Sequence, residues 1–281
     1  MSRKRILMTG GTGFFGKSIL DYFSRHVCDY EFHVLSRHGG DIVGDVATFE
    51  FPSEHYDVIL HLASPVLGQL SDEETERAIV AGTRHVAEFA QLNEARLLFA
   101  SSGAVYGNHK GPIGEDTICD PITGYGRGKL FSERYFTDKG LDVKIARCFA
   151  FVGRHLNRNA HFAIGNFIRD ALADKDIVIR GDGTSMRSYM YADDLVEWLF
   201  AILEHGESGR PYNVGSPEAI SIRNLAMTIR DTLGSRCDVK VQGARVSGAA
   251  DFYVPDVSRA NRELGLNKKV NLITAIRESI A

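Results

Sequence analysis

Short apolar runs alternate with stretches of helical periodicity from Ile6 to about Arg147, the pattern of successive strand-helix units feeding a parallel sheet. The runs predict strands over Arg5–Thr9, Phe32–Leu35, Asp57–Leu62, Leu97–Ser101 and Val143–Arg147. Between them, Phe15–Ser24, Thr75–Leu92 and Tyr125–Lys139 carry apolar residues at helical spacing. The middle helix places Ala78, Ile79, Gly82, Val86 and Ala90 on one face, but also carries Val80, Ala87 and Phe89 on others. Apolar residues on several faces call for packing partners besides the sheet, either other helices or a second subunit, so a homodimer is expected.

Beyond Gly153 the regularity loosens. Phe162–Ala173, Asp193–Glu204 and Ile222–Leu233 read as helices, and Ile177–Ile179 and Tyr212–Val214 as extended segments. The pattern divides the chain into a main body, residues 1–152 with 188–215, and a smaller lobe, residues 153–187 with 216–281. A length of 281 residues suits one large core with a minor lobe.

Composition narrows the class. The hydrophobic fraction of 44% and charged fraction of 25% are those of an ordinary globular protein and exclude fibrous or disordered readings. Thirty-three basic against 36 acidic residues leave no electrostatic footprint for nucleic acid or an anionic membrane. Cys28, Cys119, Cys148 and Cys237 are scattered, and no histidines pair at metal-ligand spacing, so no metal is expected. The start of the chain lacks a signal-like core and no window is apolar enough to span a bilayer, so a cytoplasmic protein with free thiols is expected.

The first candidate chemistry is a glycine turn. Thr9-Gly10-Gly11-Thr12-Gly13-Phe14-Phe15-Gly16 follows the first strand and opens the first helix. Glycines there let the backbone approach a pyrophosphate, and the free amides and dipole of the helix start stabilise its charge. Gly10, Gly13 and Gly16 would shape the turn, while Phe14 and Phe15 would supply amides rather than side chains. Without this strand-turn-helix context, a glycine triplet is as often an ordinary tight turn.

After the second strand, Ser36 and Arg37 lie where an adenosine ribose would sit. An acidic residue there binds the 2′-hydroxyl, whereas a hydroxyl and a guanidinium favour a 2′-phosphate, so NADP is expected, with NAD as the alternative. The lesser reading makes Arg37 a solvated loop cation or one that stacks on adenine whichever cofactor binds. Asp45, beside Val46, is placed either to accept from the adenine amino group or to cap a turn.

Tyr125 and Lys129, four residues apart at a helix start, share one face. A phenol titrates near 10, so proton exchange at neutral pH needs a fall of ~3 units, about 4 kcal/mol, which a nearby ammonium and a cationic nicotinamide would help supply. Ser101-Ser102 ends a parallel strand, where open α/β sheets bind ligands. Ser102 and Tyr125 could therefore grip one substrate oxygen, with Lys129 also holding the cofactor ribose; a plain Ser-Gly turn is the other reading.

Taken together, Gly10–Gly16, His61-Leu62-Ala63-Ser64, Ser101-Ser102-Gly103-Ala104-Val105-Tyr106-Gly107, Tyr125-Gly126-Arg127-Gly128-Lys129 and the stretch Arg180–Leu195 resemble the extended short-chain dehydrogenase/reductase family, within its nucleotide-sugar epimerases, dehydratases and reductases. The resemblance spans nearly the whole chain. It implies a Rossmann-type, doubly wound α/β sheet with a smaller carboxyl-terminal lobe that binds a nucleoside diphosphate sugar. It also implies that Ser102, Tyr125 and Lys129 are catalytic, that Leu62, Ala63 and Ser64 border the cofactor, and that Arg187 holds the substrate diphosphate, with Arg245 a lesser candidate for the same task.

The chain departs from that pattern in ways that narrow the reaction. Gly103 and Ala104 stand where the dehydratases resemble one another in carrying an Asp-Glu pair, which disfavours elimination of water. Ala150 replaces a frequent asparagine, and Ser36 to Asp57 is short for the usual helices. Net reduction of a 4-keto sugar by NADPH is the first expectation and 4-epimerisation with tightly held NAD the second. A non-catalytic dinucleotide sensor would have no use for Ser102, Tyr125 and Lys129 together, and a redox enzyme for another carbonyl would give Arg187 no diphosphate to bind.

Overall fold

The computed structural model describes residues 3–65, 68–160, 162–244 and 251–281. The first half runs β1 (Lys4–Thr9), α1 (Phe14–Arg25), β2 (Tyr30–Ser36), β3 (Ile42–Val43), β4 (Val58–His61), α2 (Asp72–Asn93), β5 (Arg96–Ser102), a 3₁₀ turn over Gly103–Tyr106, α3 (Gly124–Asp138) and β6 (Val143–Cys148). There follow β7 (Phe151–Val152), α4 (Ala163–Leu172), β8 (Ile177–Ile179), β9 (Met186–Arg187), β10 (Met190–Tyr191), α5 (Ala192–His205) and β11 (Pro211–Val214). The chain closes with β12 (Ile220–Ser221), α6 (Ile222–Leu233), β13 (Val239–Val241), β14 (Phe252–Tyr253), α7 (Ser258–Leu264) and α8 (Leu272–Glu278).

Seven strands form one parallel sheet in the order β11-β6-β5-β4-β1-β2-β3. The continuous apolar runs arise because both faces are covered: Ile6, Leu7 and Met8 are all fully buried. Successive residues serve opposite layers. Ile6, Met8, Leu60 and Leu98 join Trp198 and Leu199 of α5 on one face, while Leu7, Ile59, Leu97 and Phe99 join Val86, Phe89 and Phe136 on the other. From β1 the chain winds outward to β2 and β3, then returns to β4 on the other side of β1. That reversal opens a crevice above the carboxyl ends of β1 and β4.

The sheet is therefore the doubly wound Rossmann type expected, and the expected strands and helices of the main body form to within a few residues. Two further observations refine the picture. Part of the additional apolar surface of α2 is covered from within the chain: Phe89 packs its ring against Phe49, Phe51 and Tyr56, and α2 also lies along α3, while Leu92 stays exposed. Between Ser36 and Asp57 no helix forms. The chain turns at Gly39 and Gly40, both with positive φ, and adds the two-residue β3 beside β2.

The smaller lobe packs α4, α6 and α8 around Ile164, Phe167, Leu225, Ile229 and Ile276. Its strand β9 pairs antiparallel with β12 and parallel with β14. Within the stretch expected in this lobe, α7 instead packs on the main body, where Val257 and Ala260 join the core beside Trp198 and Tyr212. Among the described residues no helix is long and apolar enough to cross a membrane.

Candidate active site

A cleft of about 810 Å³ opens between the sheet and the smaller lobe, floored by Gly10, Gly13, Ser102, Tyr125 and Lys129 and walled by Phe149, Tyr189 and Tyr253. At one end β1 breaks into α1. Gly10 has φ +73°, and a Cβ there would lie 2.7 Å from the amide nitrogen of Ala63, so only glycine allows this close crossing. Gly16 packs on Gly11 in the same way. Helix α1 starts after Gly13 with no side-chain cap and no acidic residue in its first turn. Its first amides thus face outward without an internal partner, the setting that receives a phosphate pair, and this chain fits the pyrophosphate of a dinucleotide. Phe14 and Phe15 contribute more than the amides expected of them. Their side chains line the cleft, and Phe15 sits edge-on to Phe151 at 5.3 Å between ring centres.

Across the floor, α3 carries Tyr125 and Lys129. Thr123 caps it by accepting from the Gly126 amide. The glycines between the two functional residues bring the helix in: a Cβ at Gly126 would lie 2.5 Å from the Ala104 carbonyl, and one at Gly128 3.0 Å from Ile79 of α2. Lys129 is 2% exposed, and its Nζ donates to the Ala100 carbonyl at 2.8 Å, 5.7 Å from the centre of the Tyr125 ring. Burial pulls its ammonium down to about 8, opposed by Cys148 and Glu133.

Tyr125 borders the cleft and is half-buried. Burial pushes the phenol up to about 12, against hydrogen bonding from Ser102 and Ser64, which favours the ionised form. The sequence reading has Lys129 lowering this phenol. In the chain by itself desolvation wins, and Lys129 instead depresses the nearby His61, whose imidazole burial drives down to about 3. His61 is held by Thr9 at 2.9 Å, and the Thr9 hydroxyl also accepts from Ala63 at 3.2 Å.

Ser102 both closes a turn and lines the cleft. Its hydroxyl caps the 3₁₀ turn, accepting from Ala104 at 3.1 Å, and it also faces the cleft beside Tyr125. Behind it, Ser101 donates to Glu133, which also accepts from Arg147 Nε and Nη2, the latter at 2.7 Å. This buried pair ties α3 to β5 and β6 and so fixes the separation of Ser102 from Tyr125.

Leu62 and Ser64 line the cleft, and Ala63 abuts Gly10. Arg187 lines the lobe side, with its guanidinium paired to Asp251 and lying 5.9 Å from the Tyr253 ring centre. Ser36, Arg37, Asp45 and Val46 lie outside the cleft lining. Ser36 meets Thr12 hydroxyl to hydroxyl at 2.9 Å, Arg37 is exposed, and Asp45 caps its own turn by accepting from Ala47 at 2.9 Å. Val46 packs against Gly82 of α2. Arg245 lies outside the described residues. Among the described residues no cluster of His, Cys, Asp or Glu has the makings of a metal site.

Sequence reasoning missed Tyr253, Phe149, Tyr189 and Cys148. Cys148 ends β6 in the floor, its thiol pushed up to about 12 by burial. Tyr253 and Tyr189 sit in or next to two-residue strands, whose pairing leaves no periodic trace in the chain. Only the position of Cys148 and Phe149 at the end of a predicted parallel strand could have singled them out.

A model described as the NAD dependent epimerase/dehydratase family matches residues 6–215. The chain is 30% identical over 313 residues to UDP-glucuronic acid decarboxylase 1 of Xenopus tropicalis, covering 99% of this chain and 72% of that protein. Among solved structures it superposes on UDP-N-acetylglucosamine 4-epimerase from Methanobrevibacter ruminantium M1, solved with UDP-N-acetylmuramic acid, with a TM-score of 0.88 at 23% identity, covering 100% of this chain and 98% of that one. It also superposes on RMD from Pseudomonas aeruginosa, solved with NADPH, with a TM-score of 0.85 at 22% identity over 99% and 97% of the two chains.

Proposed function

The chain belongs to the NAD dependent epimerase/dehydratase family, and from that premise we propose that it is a nicotinamide-dependent oxidoreductase acting on one carbinol or ketone of a nucleoside diphosphate sugar, most specifically reducing a 4-keto sugar. The observation that carries this reading is the convergence of Ser102, Tyr125 and Lys129 on the cleft floor, opposite the helix start at Gly13. When bound, the nicotinamide supplies or accepts the hydride. The chain's own residues do the rest. Ser102 and Tyr125 hold the reacting oxygen, Tyr125 gives it a proton on reduction, and Lys129 keeps a positive charge beneath the phenol. Arg187 receives the diphosphate once it exchanges its bond to Asp251.

Two alternatives lose ground on the lining residues. Elimination of water needs a carboxylic acid and base at the sugar, and the only carboxylate among the described lining residues is Asp72, which is tied to Arg127 at 3.0 Å. Decarboxylation of a uronic acid, the reaction named in the Xenopus relative, needs a cation for the sugar carboxylate. Among the described lining residues the cations are Lys129 and Arg187, and this reading already assigns the first to the phenol and the second to the diphosphate.

Reduction is preferred to 4-epimerisation because Arg37 is exposed beside the Ser36–Thr12 pair, where a 2′-phosphate would find a cation and hydroxyl donors. The family's own name favours epimerisation as the second reading, in which the same hydroxyl pair releases and recaptures one oxygen. Cofactor released by denaturation separates the two: retained NAD supports epimerisation and refutes reduction, whereas exchangeable NADPH oxidised in the presence of a nucleotide 4-ketosugar supports it. Tyr125→Phe should then cost ~10²-fold or more in kcat. Turnover within a few-fold of the parent would remove the proton-transfer role.

A further inference from the structure

Asn213 sits between Tyr212 and Val214 in β11, the strand at one edge of the main sheet, and it is fully buried. Both hydrogens of its side-chain amide are used: Nδ2 donates to the Ile113 carbonyl at 2.8 Å and to the Asp256 carbonyl at 3.0 Å. Its Oδ1 accepts from the Tyr106 hydroxyl at 2.8 Å, and its backbone amide donates to Glu115 at 2.8 Å. Asparagine is disfavoured inside strands, and a buried amide is costly unless it is satisfied. A residue bonded on every side in such a place is there for what it joins.

On one side it joins the floor of the cleft. Asn213 pairs with Arg147 of β6 and Arg147 with Ser101 of β5, so three polar residues stand level across the sheet, one position before Val214, Cys148 and Ser102. Arg147 bonds both Glu133 of α3 and the Tyr106 hydroxyl, which in turn donates to Asn213. On the other side Asn213 joins the wall. The Ile113 amide donates to the Val254 carbonyl at 3.0 Å and the Asp256 amide to the Ile113 carbonyl at 2.8 Å, which fastens the chain just after β14. Tyr253 precedes Val254, and β14 pairs with β9, which sets Tyr253 opposite Arg187. Tyr253 and Arg187 both line the cleft.

We propose that Asn213 is a positioning residue for the substrate half of the cleft: its side-chain amide holds the segment that carries Tyr253, and through β9 Arg187, at a fixed place relative to Ser102 and Tyr125 on the floor. Phe149 of the wall starts from the same point, because its amide donates to the Val214 carbonyl at 3.0 Å. The glycine turn lies beyond β6, β5 and β4, at the end of β1. Loosening the clamp should therefore disturb the wall and spare the turn.

The consequence for ligands rests on the proposed function, which assigns the wall to the nucleoside diphosphate and the glycine turn to the dinucleotide; the clamp itself is read without either. Asn213→Asp keeps the shape and the bond from Tyr106, but sets a carboxylate oxygen against two carbonyls in place of two donors. Hydrogen exchange of the full chain, followed by NMR, should then quicken ~10-fold or more at the Ile113 and Asp256 amides while the amides of β1 and β4 keep their rates. Titrations with UDP, GDP and dTDP, and separately with NADPH and NAD, read the two halves of the cleft. The variant should bind the diphosphate that the parent binds ~10-fold more weakly, with dinucleotide affinity within about twofold of the parent. A residue that only stabilised the fold would weaken both ligands or neither. Tyr106→Phe leaves both donors of Asn213 in place and removes the bond that sets the rotation of its amide, so it should act in the same sense by ~3-fold.

Unchanged exchange at Ile113 and Asp256 in folded Asn213→Asp, or equal losses of diphosphate and dinucleotide, would overturn the inference. Should Asn213→Asp fail to fold, Tyr106→Phe carries the test, and exchange at those two amides no faster than in the parent is the refuting result. If exchange quickens there but the parent binds none of the diphosphates, the clamp stands and the proposed function falls. If the parent binds a diphosphate and a dinucleotide and the variant loses affinity for neither, the proposed function stands and this inference falls.

Discussion

Replacing Glu133 by glutamine tests the buried pair that supports the site. The Glu133 and Arg147 side chains are 5% and 7% exposed. The carboxylate accepts from Arg147 Nε at 3.0 Å and Nη2 at 2.7 Å and also from Ser101. Glutamine preserves the volume but removes the charge, leaving the Arg147 cation inside with the neutral amide oxygen and the Tyr106 hydroxyl at 2.9 Å as its partners. Breaking one side of a buried pair costs ~3–5 kcal/mol, a large share of the ~5–15 kcal/mol that stabilises a typical domain. At ~2–4 °C per kcal/mol for a chain of this size, the melting temperature should fall by roughly 6–20 °C. Urea unfolding should show a lower midpoint with an unchanged slope. Glu133→Met with Arg147→Met, which removes both charges, should recover most of the loss. A cost below ~1 kcal/mol for Glu133→Gln, or a double variant no better than the single, would show that the pair does not hold the α3–β5–β6 junction.

The remaining predictions follow from individual groups. His61 is neutral in the fold, driven from an ordinary 6.5 down to about 3. Its folded value is depressed, so the unfolded chain binds a proton that the folded chain refuses: this contribution is intact above pH 6.5 and is lost at ~1.4 kcal/mol per pH unit as pH falls towards 3. Urea unfolding at pH 7 and pH 5 should therefore show an acid loss ~2 kcal/mol smaller in His61→Gln than in the parent; equal losses would place His61 in contact with water. Arg187→Ala should raise KM for nucleotide-linked sugars ~10-fold or more while leaving free sugars unaffected, and equal effects on both would reject a diphosphate contact. Arg37→Ala should weaken NADPH ~10-fold relative to NADH in a binding titration, and an unchanged ratio would reassign Arg37 to solvent.

How much of this was legible in the sequence depends on the range of the signal. The glycine turn, the end of β5 and the Tyr125–Lys129 pair all lie on elements long enough to imprint a hydrophobic period, so the chain itself fixes where their side chains emerge. The sheet order adds only which strand ends meet. The wall of the cleft is different. Tyr253 belongs to a strand of two residues whose neighbours are β9 and an isolated bridge to His109, contacts 66 and 143 positions away in sequence from Arg187 and His109 to Tyr253 and Phe252. No local pattern encodes such pairings.

Ionisation in the free chain depends on burial, which spacing alone does not show. From sequence, an ammonium four residues from a phenol looks like its chief influence, because spacing is visible and burial is not. In the fold both groups are enclosed, and desolvation moves them in opposite directions, Tyr125 up to about 12 and Lys129 down to about 8. Each shift disfavours its own charge, so the free chain holds a neutral phenol beside a weakened ammonium, a resting state that donates a proton more readily than it removes one. This bias suits reduction of a ketone. For the opposite direction, oxidation of an alcohol, the phenol must first be brought down towards neutrality, and of the groups around it only hydrogen bonds from Ser102 and Ser64 act in that sense.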